Sequence, residues 1–347
     1  MMSPASRPIL VTGASGFLAI HTIIQLLEQG YKVRGTLRSL TRESEVRATI
    51  SKHVEANDRL EFVTIDLLQD FGWDKVVEGC ESVLHVASPF PLFAPKDEDD
   101  LIVPAVQGTQ RVLRAAHDAK IKRVVIVSSN AAISAGHNGE NRVFDENDWS
   151  LIENNIGAYS KSKTLAERAA WSFINGPENV NKLEMVAINP PLIFGPVPNQ
   201  DFPTSAEMIR VFMRGEVPGI ARLKIAIVDV RDVASAIILG MTTPEAAGNR
   251  FACPTATVWY KDMVDILYKE FAGQGYKIPR IVFPNFLVGI MALLDKKVAL
   301  VKRDINWDYE LSNEKTKRVL KWEPRPKEEA ILSMAHSLIE QGFVSNA

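Results

Sequence analysis

The stretch Ile9-Leu-Val-Thr12-Gly13-Ala-Ser-Gly16-Phe17-Leu18-Ala19 decides the fold. A short branched apolar run enters two glycines and emerges as a segment with helical spacing of apolar residues, Leu18 to Leu27. That is a strand turning sharply into a helix N-terminus. Glycine permits the turn and lets backbone N–H groups approach a ligand, while the helix dipole favours negative charge. Such a turn suits a pyrophosphate. The spacing is Gly-x-x-Gly-x-x-Ala, with Ala19 small enough for close packing of helix on sheet, and it gains its meaning from opening a βαβ pattern.

Working outward, further β-branched runs stand at Tyr31–Leu37, Leu60–Ile65, Val83–Val86, Val124–Val127 and Met185–Ile188. Between them lie helical patterns such as Leu101–Ala116 and Ser160–Ile174. Strands alternating with helices of this length predict an α/β fold, a doubly wound parallel sheet of Rossmann type, over residues 1–190. After Asn189-Pro190-Pro191 the chain becomes rich in proline and glycine around a short helix near Ser205–Arg214. Residues 191–347 are therefore expected to form mainly a smaller C-terminal substrate-binding lobe. A strand at Ile225–Val228, a helix at Arg231–Gly240 and a strand at Arg250–Cys253 are expected to return the chain to the main domain. A closing helix is expected within Pro326–Gln341.

Composition narrows the function. The 347 residues are 46% hydrophobic and 24% charged, ordinary for a globular protein, and the net charge of -2 offers no general attraction for nucleic acid or an anionic membrane. Cys80 and Cys253 are too few for a disulfide framework, which fits a reducing, cytoplasmic setting. The six histidines include no pair at metal-ligand spacing, so no metal is expected. Met1–Pro8 carries no readable secretory signal. The strongest apolar run, Phe286–Leu294, is far short of the ~20 residues that cross a bilayer and reads as a packed helix.

A dinucleotide site that selects NAD usually ends its second strand with an acid for the ribose 2′-OH. Here that strand ends Gly35-Thr36-Leu37-Arg38-Ser39, with no acid. A guanidinium at Arg38 matches a 2′-phosphate, so the expected cofactor is NADP(H), with Arg42 as an assisting cation. Asp66, ending the third strand, suits either the adenine amino group or the cap of the next turn.

The fifth strand ends in Ser128-Ser129-Asn130, and about thirty residues on, Tyr159 and Lys163 share one face of a helix. A neighbouring ammonium is expected to lower the phenol pKa and make Tyr159 a usable proton donor. A serine hydroxyl within reach of the same carbonyl oxygen would stabilise developing negative charge. The order of these parts along the chain carries the reading: glycine turn, serine at a strand end, then Tyr-x-x-x-Lys.

With Thr12-Gly-x-x-Gly16-x-x-Ala19, Ser128-Ser129 and Tyr159-x-x-x-Lys163 in place, the chain resembles the extended short-chain dehydrogenase/reductases. Leu37-Arg38-Ser39, His85-Val-Ala-Ser-Pro89, Tyr159-Ser-Lys-Ser-Lys-Thr-Leu-Ala-Glu167 and Pro190-Pro-Leu-Ile-Phe-Gly-Pro196 resemble the dihydroflavonol 4-reductase, cinnamoyl-CoA reductase and methylglyoxal/aldehyde reductase group. The closing segment Leu311–Trp322 also resembles that group. The resemblance implies NADPH-dependent reduction of a small aldehyde or ketone, with Ser129, Tyr159 and Lys163 catalytic. Ser129 follows from the habit of such serine pairs, and the sequence leaves Ser128 open. It also implies that Gly13, Gly16, Phe17 and Leu18 hold the pyrophosphate, Arg38 the 2′-phosphate, and Asp66 and Leu67 the adenine. Val86, Ala87 and Ser88 would line the dinucleotide, Pro190, Ile193 and Ser205 would approach the nicotinamide, and Lys163 would hold its ribose.

One departure stands out. Many extended members carry Asn-Val ahead of a Gly-Thr where this chain has Ala105-Val106-Gln107-Gly108-Thr109, which removes a candidate water-relay residue. Phe90, Phe93, Phe194, Phe202, Met208, Phe212 and Trp259 fit a substrate pocket or the core equally well. A sugar-nucleotide epimerase or dehydratase, or a non-catalytic dinucleotide sensor, would use the same scaffold; Arg38 speaks against the first and the Tyr–Lys pair against the second. Monomer and homodimer are both compatible with the sequence.

Overall fold

The computed structural model describes residues 7–88, 97–294 and 302–346. Phe90 and Phe93 lie outside them. The main sheet is built from β1 (Ile9–Val11), β2 (Val33–Leu37), β3 (Leu60–Thr64), β4 (Ser82–His85) and β5 (Arg123–Val127). Past the two-residue strand β6 (Val143–Phe144) come β7 (Glu184–Asn189), then β8 (Leu192–Phe194), β9 (Lys224–Asp229) and β10 (Asn249–Ala252). Seven strands pair in the order β10-β7-β5-β4-β1-β2-β3, all parallel. This is the doubly wound α/β sheet expected from the sequence.

Residue alternation along the central strands assigns the two faces. Ile9, Val11, Val125, Val186 and Ile188 pack towards α1 (Phe17–Glu28) and the later helix Val230–Thr242. Leu10, Val124, Ile126, Met185 and Ala187 pack on the other side, towards the helices Asp99–Asp118 and Gly157–Asn175. Burial on both faces explains why these strands read as continuous apolar runs. The Gly157–Asn175 helix lays its first turn beside the end of β5, which places Tyr159 and Lys163.

The return of the chain divides in two. The strand near Arg250–Cys253 joins the main sheet as β10 beside β7, with Phe251 opposite Ile188. The expected strand Ile225–Val228 does not: as β9 it pairs with β8 and β11 (Ala256–Trp259) in a separate three-stranded sheet. The reason lies in the sequence partners. Leu192–Phe194, immediately after Pro190-Pro191, turns off the end of β7 and offers β9 a parallel edge, Ile193 opposite Val228. This sheet packs with the helices Thr204–Met213, Tyr260–Phe271 and Lys327–Glu340 into a second core around Phe194, Ile209, Phe212, Met334 and Leu338.

The helix Asn285–Leu294 is only partly packed. Val288 is buried, while Phe286 and Ile290 stand exposed. Among the described residues no helix is long and apolar enough to cross a membrane.

Candidate active site

The glycine turn is tied down on both sides. Gly13 N–H donates to Thr36 Oγ1 at 3.0 Å, and Ala87 N–H donates to Thr12 Oγ1 at 3.0 Å. The Thr12 hydroxyl then has its proton for His85 Nδ1, 2.9 Å away. Burial lowers His85 to about 3, so the ring is neutral and its role is to order Thr12. Gly13 has φ +70°, and a Cβ there would lie 2.9 Å from Ala87 Cβ. Only glycine takes this backbone conformation without strain and lets the turn pack this closely on Ala87. α1 begins at Gly16 with no side-chain cap and no acid in its first turn, leaving the N–H groups of Phe17 and Leu18 for an anion. These residues fit a dinucleotide.

A small groove at the C-terminal ends of β4 and β5 is lined by Leu67, Ala87, Ser88, Val127, Ser128 and Lys163, with Ala87 also standing against Gly13 of the turn. Ala105 and Thr109, from the segment that departs from the family pattern, line its floor. Arg38 is exposed at the end of β2 and has no hydrogen bond or ion pair with the described residues. Arg42, the expected second cation, is instead engaged by Glu45 and by Asp201. Asp66 Oδ1 accepts from Leu68 N–H at 2.9 Å, so it does cap the turn after β3.

Of the other residues assigned to the cofactor, Val86 packs against the core beside α1, and Pro190 O accepts from Asn130 N–H at 2.9 Å. Ile193 lies in β8, and Ser205 is buried in the first turn of Thr204–Met213.

Ser129 and Tyr159 meet. The Ser129 hydroxyl accepts from Ala131 N–H at 3.1 Å and hydrogen-bonds the Tyr159 phenol. Both line a cleft of about 320 Å³ together with Asn130, Tyr260, Trp307 and Tyr309. Burial pushes the phenol above its ordinary value, and the Ser129 contact opposes that shift. The expected lowering by Lys163 is not what this geometry provides. The Lys163 ammonium donates to Val127 O at 3.1 Å, facing the groove, and burial lowers it to about 8 while Glu167 opposes the fall.

Ser128 is committed elsewhere. Its hydroxyl donates to Glu167 Oε2 at 2.5 Å, and the same buried carboxylate accepts from Asn189 Nδ2 at 2.7 Å and Arg250 Nε at 2.6 Å. The aromatics proposed for the pocket separate as well. Phe194 and Phe212 are core, Phe202 and Met208 pack against that core, and Trp259 lies beneath the cations of Arg222 and Lys224. The cleft is instead furnished by Trp307 and Tyr309, stacked at 4.3 Å, and by Tyr260. The sequence signal for them was Trp307-Asp-Tyr309 beside Asn306, an aromatic pair in a loop outside any periodic run.

The model of the NAD dependent epimerase/dehydratase family matches residues 9–253. The chain is 35% identical over 283 residues to cinnamoyl-CoA reductase 1 of Petunia hybrida, covering 80% of this chain and 81% of that one. It is 34% identical to a putative anthocyanidin reductase of Ginkgo biloba, covering 80% and 86%. In three dimensions it is similar to yeast methylglyoxal/isovaleraldehyde reductase Gre2 complexed with NADPH, with TM-score 0.81 and 28% identity over 97% of this chain and 100% of that one. With the glycine turn, the seven-stranded parallel sheet and the Ser129–Tyr159 contact, these likenesses agree: the chain belongs to the NAD dependent epimerase/dehydratase family, the extended short-chain dehydrogenase/reductases, and these three relatives carry reductase names.

Proposed function

We propose that this protein reduces an aldehyde or ketone to the alcohol with NADPH. The observation that carries the reading is the division of labour along one helix face: Tyr159 opens on the cleft with Ser129, and Lys163, one turn later, lines a separate groove that it shares with Ala87, the residue packed against Gly13. When bound, the reduced dinucleotide supplies a hydride to the carbonyl carbon. Tyr159 gives its phenolic proton to the carbonyl oxygen, and its raised pKa keeps that proton in place at neutral pH. The Ser129 hydroxyl bonds the same oxygen as its charge grows. Lys163 places a positive charge at the nicotinamide ribose.

In the same reading Gly13, Gly16, Phe17 and Leu18 hold the pyrophosphate and Arg38 the 2′-phosphate, for which its free guanidinium is suited. Leu67 and Asp66 border the adenine, Val86, Ala87 and Ser88 line the dinucleotide, and Pro190, Ile193 and Ser205 approach the nicotinamide. The NADPH bound to the similar yeast reductase supports the choice of cofactor.

The test is to follow NADPH absorbance while offering aldehydes, α-dicarbonyls, β-keto esters and cyclic ketones to the purified protein. Oxidation of NADPH that requires the carbonyl is the expected result. Turnover of a sugar nucleotide without net NADPH consumption would replace this reading with an epimerase.

A further inference from the structure

One ion pair joins the segment after β2 to the substrate lobe. Arg42 ends the short turn Leu40–Arg42, four residues beyond Arg38, and its guanidinium is held by two carboxylates. Glu45 belongs to the same segment, three residues on, with both contacts at 3.2 Å. Asp201 comes from the other lobe, in the loop that leads into the helix carrying Ser205. Its backbone N–H donates to Asn199 Oδ1 at 3.0 Å, so the loop that presents the carboxylate is locally braced. Arg38, by contrast, has no partner among the described residues.

We propose that Asp201 is a specificity-determining residue, which withholds Arg42 from the cofactor 2′-phosphate and so sets how strongly the protein prefers NADPH to NADH. The proposal rests on the NADPH reading above. Arg42 stands four residues along the chain from Arg38, past the extended Ser39, and its charge is outweighed by two carboxylates. The phosphate dianion must displace Asp201 or tolerate its repulsion, and either effect opposes NADPH without touching NADH. The Arg42 and Asp201 side chains are 38% and 45% exposed, and pairs this open to water are weak enough to exchange. The Arg42–Asp201 pair joins the 198–203 loop to the β2 side. Glu45 has no such reach, because it travels with Arg42.

The test measures dissociation constants for NADPH, NADH and 2′,5′-ADP by calorimetry on the full-length protein and on Asp201→Asn, Arg42→Ala and the double variant. Asp201→Asn is expected to tighten NADPH and 2′,5′-ADP about two- to fivefold, the scale of one exposed charge pair, and to leave NADH unchanged. Arg42→Ala should erase that gain, so that the double variant binds no tighter than Arg42→Ala. Asp201→Ser, which keeps a small polar group but no amide, should reproduce the result. NADPH binding that is unchanged or weaker in Asp201→Asn, or NADH tightened equally, would overturn the proposal. Failure of the NADPH reading itself shows separately, as an Arg38→Asp variant that loses both cofactors equally.

Discussion

Ser128 and Ser129 are neighbours in extended backbone at the end of β5, and their hydroxyls part company: Ser128 donates to buried Glu167 at 2.5 Å, while Ser129 bonds the Tyr159 phenol beside the cleft. Successive side chains on extended backbone point to opposite sides, so only one of the two can face a substrate. Ser129→Ala is expected to lower kcat by roughly 10²-fold or more with NADPH affinity kept. Ser128→Ala should instead keep most turnover and lower stability by about 1–3 kcal/mol, the cost of depriving a buried carboxylate of a donor. Steady-state kinetics and urea unfolding of the two variants side by side decide the assignment, and the opposite pattern would move the catalytic role to Ser128.

Tyr159→Phe removes one hydroxyl and little packing area. Turnover should fall about 10²–10⁴-fold while NADPH binding, read by fluorescence, is retained. A variant as active as the parent would leave a dinucleotide-binding protein without this proton donor.

Arg38→Asp removes the free guanidinium and installs repulsion at the same point. NADPH affinity should drop far more than NADH affinity, on the scale of one charge-assisted contact or more. Paired titrations with the two cofactors give the answer directly.

Lys163 supplies a pH dependence whose direction follows from its burial. Its ammonium is lowered from 10.5 to about 8, so the cofactor-free protein carries this charge below that pH and loses it above. Binding an anionic cofactor favours the charged form, so NADPH affinity should weaken as pH rises from about 8 towards 10. Lys163→Met should bind more weakly at pH 7 and show a flatter profile across that range.

His21 gives the opposite limb. Its Nε2 bonds Pro196 O at 2.9 Å, and burial lowers its pKa from 6.5 to about 4. The unfolded chain then binds the extra proton first, so stability present at neutral pH is lost as pH falls through 6.5 towards 4. Between pH 7 and pH 5 the loss from this residue should be on the order of 1–2 kcal/mol. His21→Gln, which can still donate to Pro196 O, should show a smaller loss over the same interval in chemical denaturation.

The parallel sheet, the glycine turn and the helix face shared by Tyr159 and Lys163 are legible in the residues alone. Each is written in local period or spacing: β-branched runs, Gly13 and Gly16 between a strand and a helix, four residues along one helical turn. Burial on both faces of the sheet made those strands unusually plain to read.

The rest depends on which distant segments meet, and local spacing does not carry that. Glu167 claims Ser128 from 39 residues away, and Asp201 claims Arg42 across 159. The strand at Lys224–Asp229 pairs with β8 rather than joining the main sheet, and Trp307 and Tyr309 line the cleft from far along the chain. The phenol of Tyr159 was expected to be lowered by Lys163 and is raised instead. Spacing puts the two side chains on one face, but it is the surroundings that desolvate both groups and turn the Lys163 ammonium towards Val127. A pattern of four residues fixes direction on a helix; desolvation and long-range partners fix the charge.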